Sequence, residues 1–244
     1  MDTLTNGSRF LAAFNDVENH LRDALGHRGA RQHESFVELR RKARQAKMTT
    51  AEQDKWLETL GKLRNAIVHG RFDQGRPLAD PVTSVVERME ALRDVLLKPP
   101  TVAEVIRDQE PVEFQTTHPL SEALRFIREC SYSQFPIREG ERFVGLLTTN
   151  AIARWLAHQM DWHGGLAESE LIAEVLKHRE STEKAVLVGR NSLLSQAMER
   201  LSPSDPSALA CTAIVVTQNG RPHEKTLGLI THADVPDCVR QLQG

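Results

Sequence analysis

An internal repeat in the C-terminal part of the chain constrains the fold more than any other sequence feature. Ala103-Glu104-Val105-Ile106 is echoed by Ala173-Glu174-Val175-Leu176, and the helix-like pattern of residues 121–130 returns at 192–201. Each copy continues with two apolar, β-rich runs and ends in a further helical pattern. The sequence therefore predicts two β-α-β-β-α units, and units of this size usually stack to complete one core.

The second copy is longer than the first. The offset between corresponding residues grows from 70 (Ala103 to Ala173) to 83 (Gly145 to Gly228). We expect the roughly 13 additional residues in loops, because loops tolerate insertions. One such loop is residues 202–206, and the other is the hairpin that precedes the last strand.

The first 98 residues have the pattern of a helical module. Pro is absent until Pro77, and apolar residues recur at three- and four-residue spacing. Thr49-Thr50-Ala51-Glu52 predicts a capped helix start, and a last helix is expected from about Pro81 to Leu97. Pro99-Pro100 then stops it. Helices joined by such short connections predict an all-α four-helix bundle.

These patterns predict an α+β multidomain protein of three parts. Residues 1–98 form the helical bundle, 99–160 the first repeat and 161–244 the second, and the two repeats pack as a pair. The charge agrees with this division, because residues 1–98 carry 17 basic and 14 acidic side chains and the remainder carries 14 basic and 19 acidic. A mildly basic front and an acidic rear indicate two modules with different functions.

Composition excludes several classes of protein. The formal net charge of -2 on 244 residues is not that of a polycation built for nucleic acid. Three scattered cysteines are too few for a disulfide framework or a four-thiolate zinc site. No Gly-rich phosphate loop or His-Glu-x-x-His helix occurs, and we expect no metal. With no apolar run near the ~20 residues of a spanning helix and no signal-peptide pattern, we expect a soluble cytoplasmic protein.

The repeats carry polar residues where their last strand ends. The segment Gly228-Leu229-Ile230-Thr231-His232-Ala233-Asp234 places a hydroxyl and a carboxylate at a helix start. The carboxylate can accept hydrogen bonds, and the Thr hydroxyl with free helix N–H groups can bind an anion. The first copy keeps Gly145 and Thr148 but has Ala151 where the aspartate would stand, with Asn150 one residue earlier.

In this order and spacing the repeated unit resembles the cystathionine-β-synthase (CBS) domain, over about residues 99–244. The resemblance rests on the two Gly-containing strand ends and on Gln134-Phe135-Pro136-Ile137, which matches the family's strand with proline ahead of its hairpin. It implies a disc of two copies whose clefts bind an adenosine ligand such as AMP or ATP, with Thr148, Gly228, Thr231 and Asp234 as binding residues. The cleft around Asp234 is then competent, and the other is weak, altered or empty.

A purely structural interpretation of the same residues stays open. Asp234 also suits the dipole at a helix N-terminus, and Thr231 suits a cap, without any ligand.

A second motif, Arg64-Asn65-Ala66-Ile67-Val68-His69, ends an apolar helix in the N-terminal module. This motif consists of Arg, a polar residue, three further residues and His. It resembles the motif of the HEPN superfamily (higher eukaryotes and prokaryotes nucleotide-binding), and the resemblance covers about residues 1–98. The resemblance implies either a metal-independent endoribonuclease, acting as a dimer, or a non-catalytic scaffold. In an active enzyme His69 would transfer protons, Arg64 would hold the scissile phosphate and Asn65 would position either of them. Some active members carry a Tyr where this chain has Arg71.

A purely structural interpretation of this motif is also open, with a solvated arginine and a histidine that neutralises the helix dipole. Two functional hypotheses follow for the whole chain. In the first, a CBS pair senses an adenosine ligand and controls a HEPN-like binding module. In the second, the ligand regulates RNA cleavage by Arg64 and His69. The expected partners are an adenine nucleotide, RNA and a second copy of the chain, with no membrane and no required cofactor.

Overall fold

The computed structural model describes residues 5–26, 34–72, 76–130, 132–160, 170–203 and 207–243. The chain divides into two compact units. The first comprises Met1–Pro100 together with Val239–Gly244, and the second comprises Thr101–Cys238. The change of unit thus falls beside the Pro99-Pro100 pair, and the last residues of the chain return to the first unit.

The first unit is built from helices whose starts are encoded locally. Side chains of Thr5, Ser35 and Thr50 cap three of them by accepting backbone N–H groups, and Gln53 completes a capping box with Thr50. The helices are α1 (Asn6–Ala24), α2 (Phe36–Gln45), α3 (Ala51–Val68) and α4 (Thr83–Leu97). Their shared core consists of Phe10, Ala13, Phe14, Val17, Leu21, Ala43, Leu57, Leu60, Ile67, Val86, Met89, Leu92 and Leu96.

Two short strands, which the sequence analysis did not anticipate, follow α3. Strand β1 (Arg71–Phe72) pairs antiparallel with β2 (Arg76–Pro77). The hairpin is joined to the end of α3 because Leu78 N donates to Gly70 O at 3.0 Å.

The first repeat forms a three-stranded sheet flanked by helices. Its elements are α5 (Val102–Val105), β3 (Phe114–Gln115), α6 (Leu120–Glu129), β4 (Gln134–Glu139), β5 (Arg142–Thr148) and α7 (Thr149–Met160). The strand order is β3-β4-β5, with a parallel pair followed by an antiparallel hairpin. Strand β3 begins at Phe114 and is only two residues long.

The second repeat has the same topology. It contains α8 (Ile172–Val175), a 3₁₀ turn (Leu176–His178), β6 (Ala185–Gly189), α9 (Leu194–Leu201), β7 (Ala213–Thr217), β8 (Gly228–Thr231), a 3₁₀ turn (His232–Asp234) and α10 (Val235–Gln243). The order is β6-β7-β8, again parallel and then antiparallel. Strand β7 is buried along its whole length, as expected for the middle of a covered sheet.

The two repeats exchange their leading segments. Thr101 forms a β-bridge with Leu193 of the second repeat, and Leu171 forms the corresponding bridge with Pro119 of the first. The sheets also share apolar contacts, since Leu146 packs with Ala213 and Val215. Each repeat thus completes the other, which is the arrangement expected for a stacked pair.

Residues 204–206 of the loop expected at 202–206 lie outside the described residues. Among the residues that are described, no helix is both long enough and apolar enough to cross a membrane.

Candidate functional site

The segment after β8 positions Thr231 and Asp234 by its own hydrogen bonds. Thr231 N donates to Asp234 Oδ2 at 2.7 Å, and Thr231 Oγ1 lies 3.0 Å from the same oxygen. Thr231 Oγ1 in turn accepts from Ala233 N at 3.3 Å. This capping box fixes the carboxylate in one orientation. Asp234 Oδ1 has no hydrogen-bond partner among the described residues and stays free to accept.

A cavity of about 330 Å³ lies beside this carboxylate, entirely within the second unit. Three stretches of chain form its wall: residues 108–112 before β3, residues 132–136 at the start of β4, and the end of β8 with the turn that follows. From that last stretch the wall includes Leu229, Thr231, Ala233 and Asp234. The sequence places these stretches in both repeats, so the cavity depends on the pairing of the two copies.

Gly228 lies behind this wall and is buried. A side chain there would begin 2.6 Å from Ile106 Cβ and 2.9 Å from Gln109 Oε1. The missing side chain lets Gln109 Oε1 accept a hydrogen bond from Leu229 N at 2.8 Å. Gly228 therefore shapes the wall through packing, and the structure does not place it among the residues that line the cavity.

Thr148, the corresponding threonine of the first repeat, has a different environment. Its side chain is buried, and Oγ1 donates to Glu183 Oε1 at 2.7 Å. Asn150 Nδ2 donates to the same oxygen at 3.0 Å, and Glu180 N donates to Glu183 Oε2 at 3.1 Å. Ala151 contributes its N–H to Thr148 Oγ1 at 2.9 Å. A carboxylate from the second repeat thus faces this threonine, where the sequence analysis expected a weak, altered or empty cleft.

Arg64, Asn65 and His69 are brought together at the end of α3. Helix α3 ends at Val68, and His69 is its C-cap. Arg64 Nη1 lies 3.3 Å from His69 Nε2 and 3.3 Å from Asn65 Oδ1. Because a guanidinium can only donate, His69 Nε2 is the acceptor in this contact. His69 N donates to Asn65 O at 2.9 Å, so the backbone stays helical up to this cap, and the long side chain of Arg64 reaches the imidazole ring.

A second cavity, of about 500 Å³, adjoins this motif and includes Arg64 and Asn65 in its wall. Its charges largely neutralise one another. Arg22 pairs with Glu18 at 2.7 Å, and Lys62 pairs with Glu58 at 2.9 Å.

The basic run of α2 is likewise engaged within the protein. Arg40 pairs with Asp54 at 3.0 Å, and Arg44 donates to Thr49 O at 3.0 Å. Lys42 pairs with Glu34 at 2.5 Å. These contacts favour a structural role for Arg40, Lys42 and Arg44 over phosphate binding.

Sequence reasoning missed Gln109 and Glu183, and neither stands in a motif. Glu183 meets Thr148 only because the repeats pair. No group of His, Cys, Asp and Glu among the described residues could hold a metal ion. His158 and His178 lie with their ring centroids 5.0 Å apart, whereas Asp161 and His163, which the sequence places nearby, lie outside the described residues.

No family model and no curated protein sequence matches the chain. Solved structures that contain CBS domains are similar to part of the chain. A signal-transduction protein from Burkholderia ambifaria MC40-6 is 16% identical, with 57% of this chain and 93% of that chain covered and a TM-score of 0.43.

Two further structures are similar in extent. The CBS pair of protein MJ0100, in complex with 5′-methylthioadenosine and S-adenosyl-L-methionine, is 16% identical over 58% of this chain and 96% of that chain, with a TM-score of 0.42. The CBS domain of a bacterial CNNM/CorC family Mg²⁺ transporter, in complex with ATP, is 16% identical over 64% and 94%, with a TM-score of 0.41.

Proposed function

We propose that the chain is a regulatory protein in which residues 101–238 form a CBS pair that binds an adenosine ligand and controls the helical unit. The observation that supports this most is the oriented carboxylate of Asp234 at the wall of an open cavity. Asp234 Oδ1 accepts the ribose hydroxyls, and the apolar walls from Val112, Pro136 and Leu229 receive the base. The volume of about 330 Å³ lies at the lower end of the ~300–1,000 Å³ typical of small-molecule sites, which suits a single nucleoside.

We further propose one ligand per chain. The Thr148 hydroxyl and the Asn150 amide already bond to Glu183, so a ligand in that cleft would have to displace an internal carboxylate. The same carboxylate would repel a phosphate group there.

Control of the helical unit would run through α10. This helix begins at Val235, directly after Asp234, and its last residues belong to the first unit. There Leu242 O accepts from Gln53 Nε2 at 3.1 Å and Gln243 O accepts from Arg88 Nη1 at 3.1 Å. A ligand that binds one position of α10 more tightly than another would shift the helical unit between two states.

Isothermal titration with adenosine tests the binding proposal. We expect one site per chain in the wild type. Asp234→Ala should lower the affinity by at least about tenfold, because it removes a charged acceptor of two hydrogen bonds. Asp237→Ala, which removes an exposed carboxylate of α10 outside the cavity, is the matched control. Absence of heat in the wild type, or equal affinity in wild type and Asp234→Ala, would contradict the proposal.

The contact between Arg64 and His69 supports a second candidate, a ligand-regulated ribonuclease that needs no metal. A substrate phosphate that drew Arg64 away would free Nε2 of His69 to take the proton of a 2′-hydroxyl. A gel assay with mixed cellular RNA, with and without adenosine, should then show cleavage by the wild type and none by His69→Ala. Equal inactivity of both proteins favours a non-catalytic helical module.

A further inference from the structure

The cavity beside Asp234 is acidic and lacks basic side chains. Three carboxylates, from Asp108, Glu110 and Asp234, lie among the described residues that line it, and none of those residues is Lys, Arg or His. Asp108 and Glu110 are exposed and form no ion pair with another described residue.

From this lining we propose that the site selects an adenosine derivative with an uncharged or positively charged 5′ substituent over AMP and ATP; this rests on the proposed function. Phosphate sites in proteins are built from Arg and Lys forks or from several converging N–H donors. Here the N–H of Thr231 already donates to Asp234, and the N–H of Ala233 points to Thr231 Oγ1. The groups that would have held a phosphate are therefore engaged within the chain.

The cavity is small enough for its carboxylates to repel a phosphate group on a bound ligand. The Debye length is ~8 Å at physiological ionic strength, comparable to the width of a cavity of about 330 Å³. A phosphate on a bound nucleoside thus stays within reach of the three carboxylates, whereas a cationic group in the same position is attracted by them. The neighbouring cation Arg107 is exposed and does not line the cavity.

A series of adenosine derivatives that differ in the charge of the 5′ substituent tests this inference. The probes are 5′-amino-5′-deoxyadenosine, adenosine, AMP and ATP, titrated without divalent cations at low and at moderate salt. We expect affinity to fall in that order, with AMP bound at least about tenfold more weakly than adenosine. Added salt should narrow the difference.

Substitutions of the carboxylates show which residues weaken the binding of AMP. Asp108→Asn with Glu110→Gln should reduce the adenosine-to-AMP affinity ratio by about threefold or more, because two of the three repelling charges are removed. Glu129→Gln, which neutralises an exposed carboxylate of α6 outside the cavity, should leave the ratio as in the wild type.

The outcomes separate the two proposals. If AMP or ATP binds as tightly as adenosine, or if the double variant leaves the ratio unchanged, the charge selection is overturned while the adenosine site stands. If none of the four probes binds, the proposed function itself fails, and the selection fails with it.

Discussion

At the scale of single residues, the two copies of one motif use their threonine differently. Thr231 Oγ1 lies 3.0 Å from Asp234 of its own motif, whereas Thr148 Oγ1 donates to Glu183 at 2.7 Å. The carboxylate that Ala151 cannot supply comes from the other repeat. The motif around Thr148 therefore takes part in the packing between the repeats. The motif around Thr231 keeps the Asp234 carboxylate as an acceptor at the wall of a cavity.

Replacement of Glu183 tests this difference. Glu183→Ala removes the acceptor of three hydrogen bonds and should lower the free energy of unfolding by about 1–3 kcal/mol. Glu183→Gln keeps one carbonyl oxygen and should lose less. Chemical unfolding monitored by circular dichroism measures both. An Ala variant as stable as the wild type would show that the Thr148 cluster contributes nothing to stability.

At the scale of elements, one glutamate organises the hairpin between β7 and β8. The side chain of Glu224 accepts from Asn219 Nδ2 at 2.7 Å, from Asn219 N at 2.6 Å and from Thr217 Oγ1 at 2.8 Å. These hydrogen bonds lower the pKa of Glu224 to about 2, and the bond from the Asn219 side chain has the largest effect. Since the folded pKa is depressed, the ionised carboxylate stabilises the fold above the unfolded pKa of ~4.3.

That contribution should disappear as the pH falls from about 4.5 towards 2, where Glu224 becomes protonated in the folded state as well. We therefore expect Glu224→Gln to be less stable than the wild type at pH 6 and to approach it in stability near pH 2. Urea midpoints of both proteins across this range measure the effect. A difference that stays constant with pH would mean that the charge of Glu224 has no part in it.

Also at the scale of elements, residues 106–109 pack closely against β8 at Gly228. Gly228→Ala would place a methyl group 2.6 Å from Ile106 Cβ, so the segment must shift, and overpacking of this kind costs about 1–3 kcal/mol. Gly7→Ala is the matched control, because a methyl group there meets nothing closer than 3.7 Å and a helical position favours Ala. Thermal unfolding should show a lower midpoint for Gly228→Ala only. Equal midpoints would contradict the close packing at β8.

At the scale of the whole molecule, the sequence predicted what repeats and periodicity encode. The duplicated strands and helices, the helical N-terminal part and the Thr50 helix start are confirmed by the structure. Contacts between distant segments could not be predicted. Glu183 reaches Thr148 only through the pairing of repeats, and Arg64 reaches His69 through a side-chain conformation that the sequence pattern does not encode.

The central claim, an adenosine ligand held beside Asp234, is tested most directly by a crystal structure of the full chain grown with saturating adenosine. The account predicts density in the cavity of about 330 Å³, with both ribose hydroxyls within hydrogen-bonding distance of Asp234, and Glu183 still bonded to Thr148. Adenosine bound in place of Glu183, or no adenosine in the Asp234 cavity at saturation, would contradict it.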